Sequence, residues 1–194
     1  EVAEVTFFND PYGTLRIEKK SDTGMNLPGA VIKIEHIESG QTWTATTTSA
    51  GVAIFDQIPL GAYRIQEITA PAGWKLDDTV YTATVVAGET TTIPIINEEL
   101  PGLRIIKYDR KNMVAMPNVT FAVYRDGKFL GNFKTDQFGE ILLTNVEPGT
   151  YRAFEVDTGD EGHILDTTPQ EVELHAGDGI KELLFFNDVK PGLR

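Results

Sequence analysis

Gly13-Thr14-Leu15-Arg16-Ile17-Glu18-Lys19-Lys20 alternates apolar and charged side chains, and the pattern returns as Gly102-Leu103-Arg104-Ile105-Ile106-Lys107. A period of two is the mark of a β-strand with one dry and one wet face. Leu15, Ile17 and Lys19 lie on one side, and Arg16, Glu18 and Lys20 lie on the other. The all-charged side is the wet one, so Lys19 ends a row that turns toward a core. Leu103, Ile105 and Lys107 repeat that row. An inward lysine needs a chemical reason, because burying an unpaired charge is costly.

The recurrence sets the frame of the whole chain. Phe7-Phe8-Asn9-Asp10, Ile95-Ile96-Asn97-Glu98 and Phe185-Phe186-Asn187-Asp188 are three copies of one junction, and they bracket two units. Gly51, Gly61 and Tyr63 match Gly139, Gly149 and Tyr151 at one common offset. The expected organisation is the end strand of an upstream repeat with a linker at 1–12, and a first domain at 13–98. A tight linker at 99–101, a second domain at 102–188 and the start of a downstream repeat at 189–194 follow. The chain reads as a slice of a tandem array.

Each unit holds about seven short strands separated by turn signals such as Ser39-Gly40, Ala87-Gly88, Asp126-Gly127 and Pro148-Gly149. The first set is expected near 14–20, 29–37, 41–48, 52–56, 62–69, 79–86 and 90–97. The second is expected near 102–108, 118–125, 128–135, 140–144, 150–157, 168–175 and 180–187. No segment has helical periodicity. The fold class is therefore all-β, two tandem seven-stranded β-sandwiches. The 194 residues suit two small domains, and 41% hydrophobic content suffices for their cores. A net charge of −12 argues against nucleic acid or an anionic membrane surface as partner. The absence of cysteine excludes disulfides, thiolate metal sites and a cysteine nucleophile. No stretch is long and apolar enough to cross a membrane.

Two further inward rows end in polar residues. Tyr63, Ile65 and Glu67 share a face, as do Tyr151, Ala153 and Glu155. Ile93, Ile95 and Asn97 line up, as do Leu183, Phe185 and Asn187. Lys19 precedes Glu67 by as many residues as Lys107 precedes Glu155, and an asparagine follows each glutamate at nearly equal spacing. If the first and last strands are parallel neighbours, lysine and asparagine fall at the same end.

Two chemistries fit such a trio. One is a buried lysine–glutamate ion pair capped by an asparagine, or a lysine that snorkels past the sheet edge. The other is covalent. An apolar site favours a neutral amine, which is a nucleophile, and a protonated carboxyl, which can donate to the carboxamide oxygen and polarise its carbon. Attack with loss of ammonia then joins lysine to asparagine through an amide. The fold supplies proximity, which in the best oriented cases replaces about 7–11 kcal/mol of barrier. Such a step happens once per domain.

Tyr63-Arg64-Ile65-Gln66-Glu67-Ile68-Thr69-Ala70-Pro71-Ala72-Gly73-Trp74 resembles the E-box of Gram-positive pilins and surface proteins. Each unit resembles a collagen-adhesin B-type (CnaB) domain. Gly13-x-Leu15-x-Ile17-x-Lys19, Leu27-Pro28-Gly29-Ala30 and Pro59-Leu60-Gly61-Ala62-Tyr63 carry the likeness, and Asn97 closes it. The resemblance implies a transthyretin-like (prealbumin-type) sandwich with a self-formed isopeptide bond. On that basis Lys19 joins Asn97 with Glu67 assisting, and Lys107 joins Asn187 with Glu155 assisting. The second unit departs from the pattern after Glu155. Val156-Asp157-Thr158-Gly159-Asp160-Glu161-Gly162-His163 has no Ala-Pro-x-Gly-aromatic turn.

Other signals are weaker. Asp160, Glu161, His163 and Asp166 read as a solvated acidic loop rather than a metal site, and His36, His163 and His175 have no paired ligand spacing. No nucleophile elbow and no phosphate-cradling loop is present. Asn118-Val119-Thr120 fits a glycosylation acceptor by pattern alone, and Trp43 and Trp74 read as packing residues. No cofactor and no metal is expected.

The function expected is a structural stalk or spacer of a cell-wall-associated surface adhesin or pilus-like protein, extracellular and monomeric. Its partners would be neighbouring repeats of the same polypeptide and, through other domains, a host matrix protein or glycan. Two alternatives remain. One is a binding module that recognises a host protein or glycan through loops such as Asp77-Asp78 and 157–161. The other is a conventional enzyme, for which the chain offers no turnover site. Neither an LPxTG-like sorting signal nor a pilin motif with a polymerising lysine is seen within these residues.

Overall fold

The computed structural model describes residues 12–192. Residues 1–9, expected to close an upstream copy, lie outside the described residues. So do Leu193 and Arg194, in the stretch expected to open a downstream one. Backbone contacts divide the chain into two compact units after Glu98.

The first unit contains β1 (Tyr12–Ser21), β2 (Val31–His36), β3 (Thr42–Thr46), β4 (Val52–Pro59), β5 (Gly61–Thr69), β6 (Tyr81–Val85) and β7 (Thr90–Asn97). They form two sheets, ordered β4-β1-β7 and β3-β2-β5-β6. The second unit repeats this with β8 (Gly102–Asp109), β9 (Thr120–Arg125), β10 (Lys128–Lys134), β11 (Glu140–Leu143), β12 (Gly149–Asp157), β13 (Gln170–Leu174) and β14 (Ile180–Asn187). Its sheets run β11-β8-β14 and β10-β9-β12-β13. All fourteen strands fall where alternation and turn residues put them. Four begin two residues late, at Val31, Tyr81, Thr120 and Gln170. The residues ahead of β2 and β9 are spent on turns, with Gly29 and Asn118 in the left-handed region at φ 86° and 64°.

In each unit the first strand is central in the three-stranded sheet. It pairs antiparallel with β4 or β11 and parallel with the last strand, β7 or β14. Pro94 lies within β7, which is possible because β7 is an edge strand and one N–H can be missing there. Ile17, Ile32, Ile65 and Ile95 from the two sheets meet around Tyr63 in one core, and Ile105, Phe121, Ala153 and Phe185 meet around Tyr151 in the other. The tyrosine hydroxyls escape burial without a partner by donating to the carbonyls of Pro59 and Glu147, both at 2.8 Å. Trp43 packs against the first core, tilted on Tyr63 at 5.9 Å.

Gly51 and Gly139 show why a repeated glycine was legible. Their φ values are 70° and 73°, and an added Cβ would stand 2.5 and 2.6 Å from the carbonyl oxygens of Lys19 and Lys107. Their own carbonyls accept from the N–H of those lysines, at 2.7 and 2.9 Å. A tight turn thereby holds the backbone of each inward lysine.

Candidate functional site

Lys19 and Asn97 come from parallel neighbours. Asn97 pairs with Ser21, so it stands one inward position beyond Lys19 on the same face. Asn187 pairs with Asp109, one inward position beyond Lys107. Glu67 and Glu155 reach across from the opposite sheet, on β5 and β12. All six residues are at most 4% exposed, and the two lysines are wholly buried. Each predicted trio is one contiguous cluster.

In the first cluster Lys19 Nζ donates to Asn97 Oδ1. It also lies 3.3 Å from Glu67 Oε2. Asn97 Nδ2 donates to both oxygens of Glu67, at 3.1 Å to Oε1 and 2.9 Å to Oε2. In the second, Lys107 Nζ donates to Asn187 Oδ1 at 2.5 Å, and Asn187 Nδ2 donates to Glu155 Oε1 at 2.7 Å. Lys107 Nζ is 2.7 Å from Glu155 Oε2, so the other carboxylate oxygen is ion-paired with the lysine. Burial pushes both lysine ammonium groups below the ordinary value of 10.5, and the neighbouring glutamates pull against that shift.

One detail differs from the sequence reading, which had the acid donate to the carboxamide oxygen. In both clusters the oxygen faces the lysine, and the nitrogen faces the acid. The inventory of donors explains it. An ammonium has only donors and takes the oxygen, and a carboxylate has only acceptors and takes the amide N–H. The acid is therefore next to the nitrogen that would depart.

The surroundings of the two clusters are unlike. Above the first, the Asp77 N–H donates to Glu67 Oε2 at 3.0 Å. The Asp77 carboxylate accepts from Thr79 N–H at 3.0 Å and from the Tyr81 hydroxyl at 2.7 Å. Burial works to raise the Asp77 carboxyl, but these hydrogen bonds outweigh it and hold the group below 3.8. Burial, then Asp77, pushes the Tyr81 hydroxyl up to about 12. A solvent-open cavity of about 420 Å³ is lined by Asp22, Asp77, Asp78, Tyr81, Glu98 and Asn97 among others. Near the second cluster, the variant loop is held by His163. Its Nδ1 meets Asp160 at 2.8 Å, and its Nε2 meets Asp109 at 3.3 Å. Burial alone would lower the His163 value, but the two carboxylates outweigh it and raise it above 6.5. Glu161 and Asp166 take no part in that contact. Sequence reasoning named neither the Asp77–Tyr81 contact nor Asp109, because loop residues carry no periodicity that says what they touch.

The profile of the SpaA prealbumin-like fold domain matches residues 13–99 and again 101–188. The chain belongs to that family. Two SpaA domains in series account for nearly all of its length. Solved structures with the same fold include the Bacillus anthracis TIE protein, at 28% identity and a TM-score of 0.50 over 92% of this chain and 34% of that one. A streptococcal ancillary pilin matches at 17% identity and a TM-score of 0.54, over 95% of this chain and 64% of that one. The shaft pilin SpaA of Lactobacillus rhamnosus GG, as its D295N mutant, matches at 14% identity and a TM-score of 0.60, over 94% of this chain and all of that one. The chain thus spans about a third of the TIE protein and under two thirds of the ancillary pilin. No curated protein matches it by sequence.

Proposed function

We propose that each SpaA domain of this chain is a load-bearing spacer of a Gram-positive surface or pilus-like protein, with its first and last strands joined by an amide between lysine and asparagine. The observation that carries this reading is the contact of Lys Nζ with the asparagine carboxamide in both copies, away from solvent and beside a glutamate. An unreacted trio is an expensive way to fill a core, since removing an ion pair from water costs several kcal/mol per ion.

The chemistry follows from the placement of the atoms. Glutamate takes a proton from the lysine ammonium, which its burial makes easier to give up. The neutral Nζ attacks Cγ of the asparagine. The protonated glutamate then delivers its proton to Nδ2, which it already faces, and the C–Nδ2 bond breaks. The attacking nitrogen sheds a further proton through the regenerated carboxylate. The net change is lysine ammonium plus carboxamide to secondary amide plus ammonium. Each domain does this once, so the protein turns over no substrate. An amide resists reduction and suits an exported chain without cysteine.

The mass of the intact protein tests it. We expect a shortfall of two ammonia molecules against the sequence. Glu67→Ala should restore one and Glu155→Ala the other. A wild-type mass equal to the sequence mass sinks the covalent reading.

One observation favours ligand binding as a second reading. On the outer face of the β10-β9-β12-β13 sheet, Tyr124 contacts Phe129 at 5.2 Å and Phe154 at 5.8 Å, and Arg152 covers the Phe154 ring at 5.6 Å. Panels of immobilised matrix proteins and glycans, probed with the wild type and Phe129→Ser, test it. Only binding that the substitution abolishes supports it.

A further inference from the structure

The two clusters hold their glutamates differently, and the difference lies in one loop. Glu155 divides its oxygens cleanly, with Oε1 on the amide nitrogen and Oε2 beside the lysine. Glu67 does not. Both of its oxygens lie within hydrogen-bond distance of Asn97 Nδ2, and Oε2 also faces Lys19. Left to itself, this carboxyl is free to turn between those contacts. The extra donor in the first domain fixes it. The Asp77 N–H anchors Oε2, the oxygen that also faces Lys19 Nζ, and both oxygens stay against the nitrogen that must leave.

That N–H is aimed by its own side chain. Asp77 follows Glu67 by ten residues, in the connection between β5 and β6. Thr79 N–H and the Tyr81 hydroxyl grip its two carboxylate oxygens, and Tyr81 is anchored by packing its ring against the first core. The cavity beside Asn97 carries Asp22, Asp77, Asp78 and Glu98 against one lysine, Lys75, a net acidic mouth that suits the exit of ammonium.

We propose that Asp77 is a positioning residue for the first cross-link: clamped by Tyr81 and Thr79, it holds its backbone N–H on Oε2 of Glu67 and so keeps that carboxyl fixed between Lys19 and the departing nitrogen of Asn97. This rests on the covalent reading. The balance of the reaction is unchanged, since Asp77 gains and loses no proton.

The test follows each bond in the same molecule. The full chain is made by cell-free translation and quenched in acid at intervals. It is then digested, and the peptides joining Lys19 to Asn97 and Lys107 to Asn187 are quantified. Asp77→Ala should slow the first bond about tenfold to a hundredfold, the usual cost of a small misplacement near a reacting group. Tyr81→Phe, which keeps the packed ring, should slow it in the same direction. Asp77→Asn should restore most of the rate, because its oxygen still accepts from the Thr79 N–H and its NH2 can donate to the Tyr81 hydroxyl oxygen. The second bond should form at the wild-type rate in all three. A first bond that keeps pace in Asp77→Ala overturns the proposal while the covalent reading stands. Equal slowing of both bonds overturns it as well, since that marks a general folding defect. A wild type that forms neither bond takes down the covalent reading and this role together.

Discussion

At the scale of single residues, the proposed cross-linking needs one proton, and only one, shared by the lysine–glutamate pair. With two protons the amine is blocked, and with none the leaving nitrogen has no acid. The rate of cross-linking against pH should therefore be bell-shaped, measured by time-resolved mass spectrometry of freshly made chain. Burial lowers both lysines, so the alkaline limb should fall below the ordinary lysine value of 10.5. A rate that climbs steadily to that value would contradict the assignment. That all six side chains turn into the cores was legible because each ends an inward row, and a two-residue period sets its face. Which atom of the amide meets the acid was not legible. It depends on the donors and acceptors of three strands from two sheets meeting at one point.

Among the elements, the connection after β12 carries the clearest individual behaviour. His163 ties that loop to Asp109, the last residue of β8, and also bridges to Val189. Ile164 N–H and Lys190 N–H extend the strap to the carbonyls of Asp188 and Gly162, at 2.8 and 2.9 Å. Asp160 and Asp109 raise the His163 value in the fold. Its contribution is therefore complete below the unfolded value of 6.5 and is lost as pH climbs through the higher folded value. Hydrogen exchange of residues 160–164, corrected for its intrinsic pH dependence, should show protection fading over that window, and His163→Gln should abolish the change. The turn at Gly51 gives a second test. Gly51→Ala places a Cβ against the Lys19 carbonyl at positive φ, and should cost on the order of 1–3 kcal/mol in thermal or denaturant unfolding. The strands themselves were readable from alternation and turn residues. The loops were not, since a Trp74 in one unit and a His163 in the other give no sequence sign of what lies beneath them.

For the whole molecule, the proposed bond would decide how each domain answers heat and force. Asn97 lies 78 residues after Lys19, which sets the size of the enclosed loop. By analogy with a disulfide of that span, it adds about 4 kcal/mol by restricting the unfolded chain. In a domain of this size that corresponds to a fall of about 15–30 °C in Tm for Glu67→Ala, measured by calorimetry. Pulled from its ends, the wild type should keep that loop closed, whereas Glu67→Ala should release up to about 270 Å of chain in a single-molecule trace. The amino-acid sequence by itself determined the two-fold repeat, the strands and the faces on which lysine, glutamate and asparagine sit, because these follow from local periodicity and from self-similarity along the chain. Tertiary structure alone decided that β1 and β7 run parallel with the asparagine one inward position beyond the lysine, that the acid faces nitrogen rather than oxygen, and that Asp77 sits over one cluster and His163 beside the other. Those are distances between residues far apart in the chain, fixed by how two sheets pack, and no local pattern encodes them.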